Sequence, residues 1–243
     1  METRPAAPAV VAEPRPAPAL EPRQRWRLTV RRSIDALPLA QRELLAAWDA
    51  AVGESGLPIV VGDPAKPRPR VVFGAPLTVG MPSDGELLEI VLTQRLPAWQ
   101  VREALADRLP VGWSLLDLAD VWLGGPPLAG RVAAADYRVT LGGSAEVDVV
   151  ARAADALLAA RSIVRERAKG NGTVRYDLRP LLVDVQVTNP GPPVTIKIRT
   201  RFHPELGTGR PEEVVLALGE LIGSPLAIEA IVRERLLLAD ELG

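Results

Sequence analysis

The chain has 243 residues, of which 47% are hydrophobic and 24% charged, and its formal net charge is −1. These values are typical of a soluble globular protein with one large core or two small ones. Because cysteine is absent, the chain contains no disulfide, cysteine nucleophile or cysteine-ligated metal site. No apolar run is long enough for a membrane span and no secretory signal opens the chain, so we expect a cytoplasmic protein without a membrane partner.

The first half begins with residues 1–23, whose many prolines and alanines predict a disordered or polyproline-like tail. From Arg25 onward, apolar and polar residues alternate as they do in a half-buried strand. The prolines of residues 62–69 disfavour regular pairing and predict a loop. The remaining expected elements are a helix over 38–54, strands over 57–61, 70–77 and 85–94, a helix from Pro97 and a strand over 113–123.

The second half repeats this pattern after a turn-rich linker over 124–130. Pro97 and Pro211, which lie 114 positions apart, each open a helix that a strand follows. The other expected elements are a strand over 136–141, a helix from the N-cap candidate Ser144 to 160, strands near 161–167, 173–178, 181–188 and 194–201 with a tight turn at 169–172, and a final strand over 228–238.

This repetition predicts an α+β fold with two tandem ferredoxin-like (β-α-β-β-α-β) units that arose by internal duplication. The expected boundaries are a tail over 1–23, a first unit over 24–123 and a second unit over 131–240. The second unit has an additional strand.

Few residues indicate chemistry. His203 is the only histidine, and an exposed loop position explains it better than catalysis. Asp177 lies between Arg175 and Arg179, which point to the same side of a strand. It is the first candidate for a catalytic carboxylate in a substrate site, although an ion-pair network that keeps the sheet soluble explains the same pattern.

Arg68 and Arg70 precede a strand and a turn that runs to Glu86. Arginines on such a loop can hold phosphate. The chain has neither a GxxxxGK[ST] nor a GxGxxG motif, so nothing specific indicates a nucleotide site. No metal site and no cofactor are predicted.

A basic face is the main binding hypothesis, because one face of a ferredoxin-like sheet is free of helices and could bind RNA phosphates. The alternative is that Glu89, Glu229 and Glu234 neutralise this face. The cations expected there are Arg27, Arg31, Arg138, Lys197, Arg199, Arg201, Arg233 and Arg235. The complete set of candidate binding residues is Arg68, Arg70, Glu86, Arg175, Asp177, Arg179, Lys197, Arg199 and Arg201.

Four segments resemble the bacterial radical-SAM-associated domain of unknown function: residues 55–61, 67–92, 174–187 and 210–221. The similarity extends over most of residues 25–238. The chain departs from the family pattern at 38–44, where members have Ser-His-Leu-Asp-Leu, and at 62–65, where they have Gly-Phe-Asn-Pro. The family's residues at Arg68, Arg70, Gly80, Glu86, Asp177 and Arg179 are present.

The resemblance implies an accessory role beside a radical SAM protein encoded nearby, with RNA or a ribonuclease E/G-type enzyme as a further partner. Without cysteine, the chain cannot ligate the iron–sulfur cluster itself. Two alternatives remain: an RNA-modifying enzyme with a carboxylate site on a fold like that of pseudouridine synthases, and a protein-interaction scaffold that binds no nucleic acid and uses the Pro-rich tail.

Overall fold

The computed structural model describes residues 21–63, 66–69, 71–143, 145–169, 172–189 and 191–242, with only the backbone at 63, 66–69 and 168–169. Its helices are α1 (Gln41–Glu54), α2 (Ala98–Leu105), α3 (Val147–Ala159) and α4 (Pro211–Ile222). Its strands are β1 (Gln24–Arg32), β2 (Val61–Asp63), β3 (Lys66–Pro69), β4 (Val71–Phe73), β5 (Ser83–Leu92), β6 (Trp113–Val121), β7 (Val132–Gly142), β8 (Val164–Lys169), β9 (Gly172–Asp177), β10 (Leu182–Asn189), β11 (Thr195–His203), β12 (Gly207–Thr208) and β13 (Ala227–Leu238).

Nine of the strands form one mixed sheet. Its order is β10-β11-β7-β13-β5-β1-β6, with β12 beside β11 and β4 beside β5. Neighbours are antiparallel except β13 and β5, which run parallel and pair at Arg233 and Ser83. The order β4-β5-β1-β6 in the first half corresponds to β10-β11-β7-β13 in the second half, so both halves contribute the same arrangement of strands to a shared sheet.

The helices cover one face of the sheet because apolar residues alternate along the strands. In β1, Trp26, Leu28 and Val30 are buried, while the residues between them point to the opposite face. On α1, Trp48 is fully buried and makes edge-to-face ring contacts with Phe73 and Trp113 at 5.8 and 5.4 Å. The face opposite the helices is called the open face below.

Two hydrophobic clusters form the core on the helix side. The second cluster joins α3 and α4 to the inner residues of β7, β10 and β11, for example Val150, Leu218 and Ile198. The first cluster contains α1, α2 and the first-half strands, but also Val132, Tyr137 and Leu236 from β7 and β13. The first core is therefore completed by strands of the second half.

The two halves meet where β13 passes β5. Arg233 donates its backbone N–H to the carbonyl of Pro82 at 3.1 Å, and the hydroxyl of Ser83 donates to the carbonyl of Arg233 at 2.8 Å. A Cβ on Gly85 would lie 2.8 Å from the carbonyl oxygen of Glu234. The close approach of the two backbones therefore requires glycine at this position.

Several predicted elements are wrong in detail. The loop predicted over 62–69 contains the paired strands β2 and β3, with Val61 opposite Pro69. This two-stranded ribbon is separate from the main sheet, so Pro67 and Pro69 remove no hydrogen bond from that sheet. The strand predicted over 70–77 is only β4. Helix α1 begins at Gln41, not at 38, and α3 begins at Val147 after the N-cap Glu146.

Some predictions fall outside the described residues. The tail predicted over 1–23 is described only from Glu21, where residues 21–23 have no regular structure. The N-cap candidate Ser144 is not among the described residues. Of the predicted tight turn at 169–172, the flanking pair Lys169 and Gly172 closes the hairpin of β8 and β9.

Candidate nucleic-acid interface

A continuous chain of ion pairs crosses the open face of the sheet. Asp84 of β5 lies 3.2 Å from Arg31 and 3.1 Å from Arg138, and so joins β1 to β7 across β5 and β13. Arg138 also pairs with Glu234, whose other oxygen lies 3.3 Å from Lys197. We call the connected set the charged track; its members are Arg31, Asp84, Arg138, Glu234, Lys197, Asp136, Arg199 and Arg235.

Asp136 anchors the centre of the charged track. Its carboxylate accepts hydrogen bonds from Arg199 Nε at 2.6 Å and Nη2 at 3.0 Å, and from Arg235 Nε at 3.0 Å, while Lys197 Nζ lies 3.5 Å away. Burial acts to raise the pKa of Asp136, but the hydrogen bonds and the nearby positive charges outweigh it and lower the pKa to about 2. The carboxylate is therefore ionised and holds three cationic side chains in place.

The charged track is more positive than the chain as a whole. It contains five cations and three carboxylates, hence a charge of +2, in a chain whose net charge is −1. The Asp136 side chain is 0% exposed, whereas those of Arg31 and Arg235 are 54% exposed. Because the cations lie above a buried carboxylate, they are available to a polyanion at the surface.

The predicted binding residues of β11 lie at one side of this track. Lys197 and Arg199 belong to it, and Arg201 is exposed two positions further along β11. Arg27 pairs with Glu89 at 2.7 Å, also on the open face. The structure therefore combines both hypotheses for this face: the predicted carboxylates Glu89 and Glu234 neutralise part of the positive charge, and the charged track keeps more cations than carboxylates.

Arg233 was expected on the open face, and this prediction is wrong. The pairing of β13 with β7 shifts between Arg233 and Arg235, so that Glu234 is an additional residue in a β-bulge. Arg233 consequently points to the helix side, where its side chain is 2% exposed and binds both oxygens of Glu86. Glu86 is 0% exposed, so this candidate binding residue is occupied by an ion pair in the core.

Asp177 and Arg179 stabilise the backbone segments on either side of the β8–β9 hairpin. Asp177 Oδ1 accepts hydrogen bonds from the backbone N–H groups of Ile163 and Arg179 at 2.8 and 2.9 Å. Burial opposes its ionisation, but these bonds lower the pKa of Asp177. Arg179 donates hydrogen bonds to the backbone carbonyls of Leu158 and Ala160 at the end of α3, and to the carbonyl of Leu182. Arg175 is exposed and lies opposite Glu166 in the hairpin.

The remaining residues singled out from the sequence are Arg68, Arg70, Gly80 and His203. The Arg68 side chain and all of Arg70 are outside the described part of the structure. Gly80 has φ +78°, a conformation that favours glycine. His203 Nδ1 accepts hydrogen bonds from the backbone N–H groups of Glu205 and Leu206 at 3.2 and 3.1 Å, and so stabilises a turn.

Sequence reasoning missed Asp84 and Asp136. Asp136 lies two positions before Arg138 in a predicted strand. Because side chains two positions apart in a strand point to the same face, this spacing could have placed Asp136 beside the predicted cation Arg138.

Among the described residues, no three His, Asp or Glu side chains are grouped as a metal site requires. No helix within the described ranges is long and apolar enough to cross a membrane.

Comparisons with known proteins give one family and a distant structural likeness. A solved structure titled "Crystal Structure of a Cbf5-Nop10-Gar1 Complex" contains a chain with 10% sequence identity and a TM-score of 0.45. The alignment covers 86% of this chain and 49% of that chain, so this protein spans about half its length. No curated protein matches.

The model of a family described as "Uncharacterized protein conserved in bacteria (DUF2344)" matches residues 25–211. This match confirms the predicted resemblance as far as a bacterial domain of unknown function, whereas the association with radical SAM proteins stays a prediction. Since the matched residues make up most of the sequence, the chain belongs to this uncharacterized bacterial family.

Proposed function

We propose that the protein binds RNA through the open face of its sheet, without catalysis of its own. The observation that supports this proposal is the charged track, in which partly exposed cations surround the buried carboxylate of Asp136. Arginine is suited to this role because its planar guanidinium donates to phosphate oxygens in pairs. The carboxylates fix the directions of the cations, so less side-chain entropy is lost when phosphate binds.

The architecture that we propose for this face is a pair of ferredoxin-like units, over 24–123 and 131–240, that arose by duplication. The support is that each half has helices after its first and third main-sheet strands and the same strand order in the sheet. In such a unit the helices occupy one face only. Joining two units edge to edge doubles the length of the open face along which a polymer can lie.

As a protein partner we propose a radical SAM protein, on the basis of the family resemblance. The partner would supply the chemistry, and this chain would bind the RNA or a ribosome-linked substrate in the cytoplasm. A ribonuclease E/G-type enzyme is the second partner of this kind. The scaffold alternative depends on the Pro-rich tail, most of which lies outside the described residues.

The enzyme alternative has less support from the geometry. Its first candidate, Asp177, uses one carboxylate oxygen to bind two backbone N–H groups. A turn that needs this carboxylate for its own hydrogen bonds gives no specific reason to assign catalysis to it. We therefore place the proposed activity on the open face and propose no reaction for this chain.

The proposal is tested by measuring the affinity of the purified chain for single-stranded RNA across a salt series. Each phosphate that is contacted contributes roughly −0.7 to the slope of log affinity against log salt concentration. We expect measurable binding at low salt and a slope of about −2 to −4, which corresponds to a few contacts. Failure to bind RNA at low salt would refute the proposed function.

A further inference from the structure

A groove on the open face lies at one end of β1, beyond the charged track. Its volume is about 280 Å³. Val72, Val91, Leu123 and Pro127 form apolar walls, and Arg25 and Glu89 supply the polar groups. This volume is just below the usual range for ligand sites, roughly 300–1,000 Å³, and is suited to a single planar ring system.

The wall of this groove is held by Arg25. Its guanidinium donates to the carbonyls of Leu123, Gly125 and Pro126 at 2.7, 3.0 and 3.3 Å. These bonds fix the connection that follows β6 and that begins with Trp122. The Trp122 side chain is 79% exposed although it is large and apolar, and a Cβ on Gly124 would lie 2.9 Å from its indole ring. The ring therefore lies against the backbone of Gly124. Trp122 directly precedes the groove residue Leu123 in the chain but is not itself one of the residues that line the groove.

Glu89 provides a hydrogen-bond acceptor inside the groove. Its Oε1 accepts from Arg27 Nε and Nη2 at 3.2 and 2.7 Å. Its Oε2 lies 3.9 Å from Arg25 Nη1, and no described residue donates a hydrogen bond to it. The side chain is only 5% exposed. A nearly buried carboxylate oxygen that accepts no hydrogen bond from the described residues favours a ligand that brings N–H donors.

We infer that this groove, with Trp122, binds one base of a single-stranded RNA whose backbone lies on the charged track. This inference rests on the proposed function. Trp122 supplies the aromatic surface for stacking, and Glu89 Oε2 accepts from the Watson–Crick edge of the base. Guanine presents two neighbouring N–H groups on that edge, whereas uracil presents only one. The groove therefore selects guanine over uracil.

The path from the track to the groove follows β1. Arg27 and Arg31 point to the same face, and four residues of strand span about 13 Å. Arg27 binds Glu89 and Arg31 binds Asp84, so the two ends of this segment belong to the groove and the track. A few nucleotides therefore connect a phosphate on the track to a base in the groove.

The test compares the affinities for two RNA probes, an oligouridine and the same oligouridine with one guanosine, on the full chain. The wild type should prefer the guanosine probe by about 5- to 100-fold, the usual discrimination by a specific base contact. Glu89→Gln should bring this ratio close to one; a ratio between probes cancels the effect of the altered charge on overall affinity. Trp122→Ala should weaken binding of the guanosine probe by about 5- to 100-fold, as expected for one stacked base.

The matched control is Trp99→Ala, because Trp99 is 66% exposed but belongs to α2 on the helix side. It should leave both affinities unchanged. If Trp122→Ala and Glu89→Gln behave like the wild type while RNA still binds with the expected salt dependence, the groove is not a base site and the proposed function stands. If no probe binds to the wild type, both proposals are wrong.

Discussion

Asp136 is the residue on which the geometry of the charged track depends most. Replacing it by asparagine keeps the size of the side chain but removes the charge that pairs with Arg199, Arg235 and Lys197. We expect Asp136→Asn to lower the free energy of unfolding at neutral pH by about 1.5–3 kcal/mol, the usual net contribution of hydrogen bonds to a charged group. Urea denaturation followed by circular dichroism measures this difference.

The same carboxylate predicts a dependence on pH. The folded-state pKa of Asp136 is about 2, below its ordinary value of 3.8. A lowered pKa stabilises the folded state above the unfolded-state value, and this contribution is lost as the pH falls through the folded-state value. The difference between the wild type and Asp136→Asn should thus shrink between about pH 4 and about pH 2. A constant difference over that interval would show that the ion pairs do not stabilise the fold.

At the scale of elements, the turn between α2 and β6 packs against the turn after β1. Gly112 has φ +80°, and a Cβ there would lie 2.5 Å from the Cα of Ala36. Gly56 has φ +75°, with nothing within 4 Å of a Cβ. Gly56→Ala should cost about 1–2 kcal/mol of stability from backbone strain alone, and Gly112→Ala about 1–3 kcal/mol more because of the clash.

Thermal denaturation of the two variants separates these effects, since both glycines have nearly the same positive φ. Equal losses would mean that the neighbouring turn moves away without cost. A larger loss in Gly56→Ala would contradict the packing seen at Gly112.

Most helices and long strands could be predicted from the sequence, because their apolar periods are regular. The side of the sheet on which Arg233 lies could not, since alternation assigns Arg233 and Arg235 to the same face unless a bulge intervenes. The bulge at Glu234 depends on the pairing of β13 with β7, which a single strand does not reveal. The hairpin of β2 and β3 was missed because prolines normally oppose pairing.

The candidate site was predicted in part for a related reason. Lys197 and Arg199 follow from alternation along one strand, but their convergence on Asp136 requires β11 and β7 to be neighbours in a definite register. Asp177 was attractive between two arginines, yet its partners are backbone groups that sequence does not display.

At the scale of the whole molecule, the buried pair of Glu86 and Arg233 joins the two halves. Removing one partner leaves the other charged and buried, so Glu86→Leu and Arg233→Met should each cost about 3–5 kcal/mol. The double variant should recover most of the loss, because it removes both charges together. Urea denaturation of the four proteins completes a double-mutant cycle, and additive losses would contradict a direct coupling between the halves.

The central claim is that the open face binds RNA, and the salt dependence of two matched variants tests it most directly. Lys197→Gln with Arg201→Gln removes two cations from the open face, whereas Arg42→Gln with Arg102→Gln removes two exposed cations from α1 and α2. We predict that the first pair makes the slope of log RNA affinity against log salt shallower by about 1.4, or about 0.7 for each lost contact, and that the second pair leaves it unchanged. Equal slopes in both variants would contradict the claim.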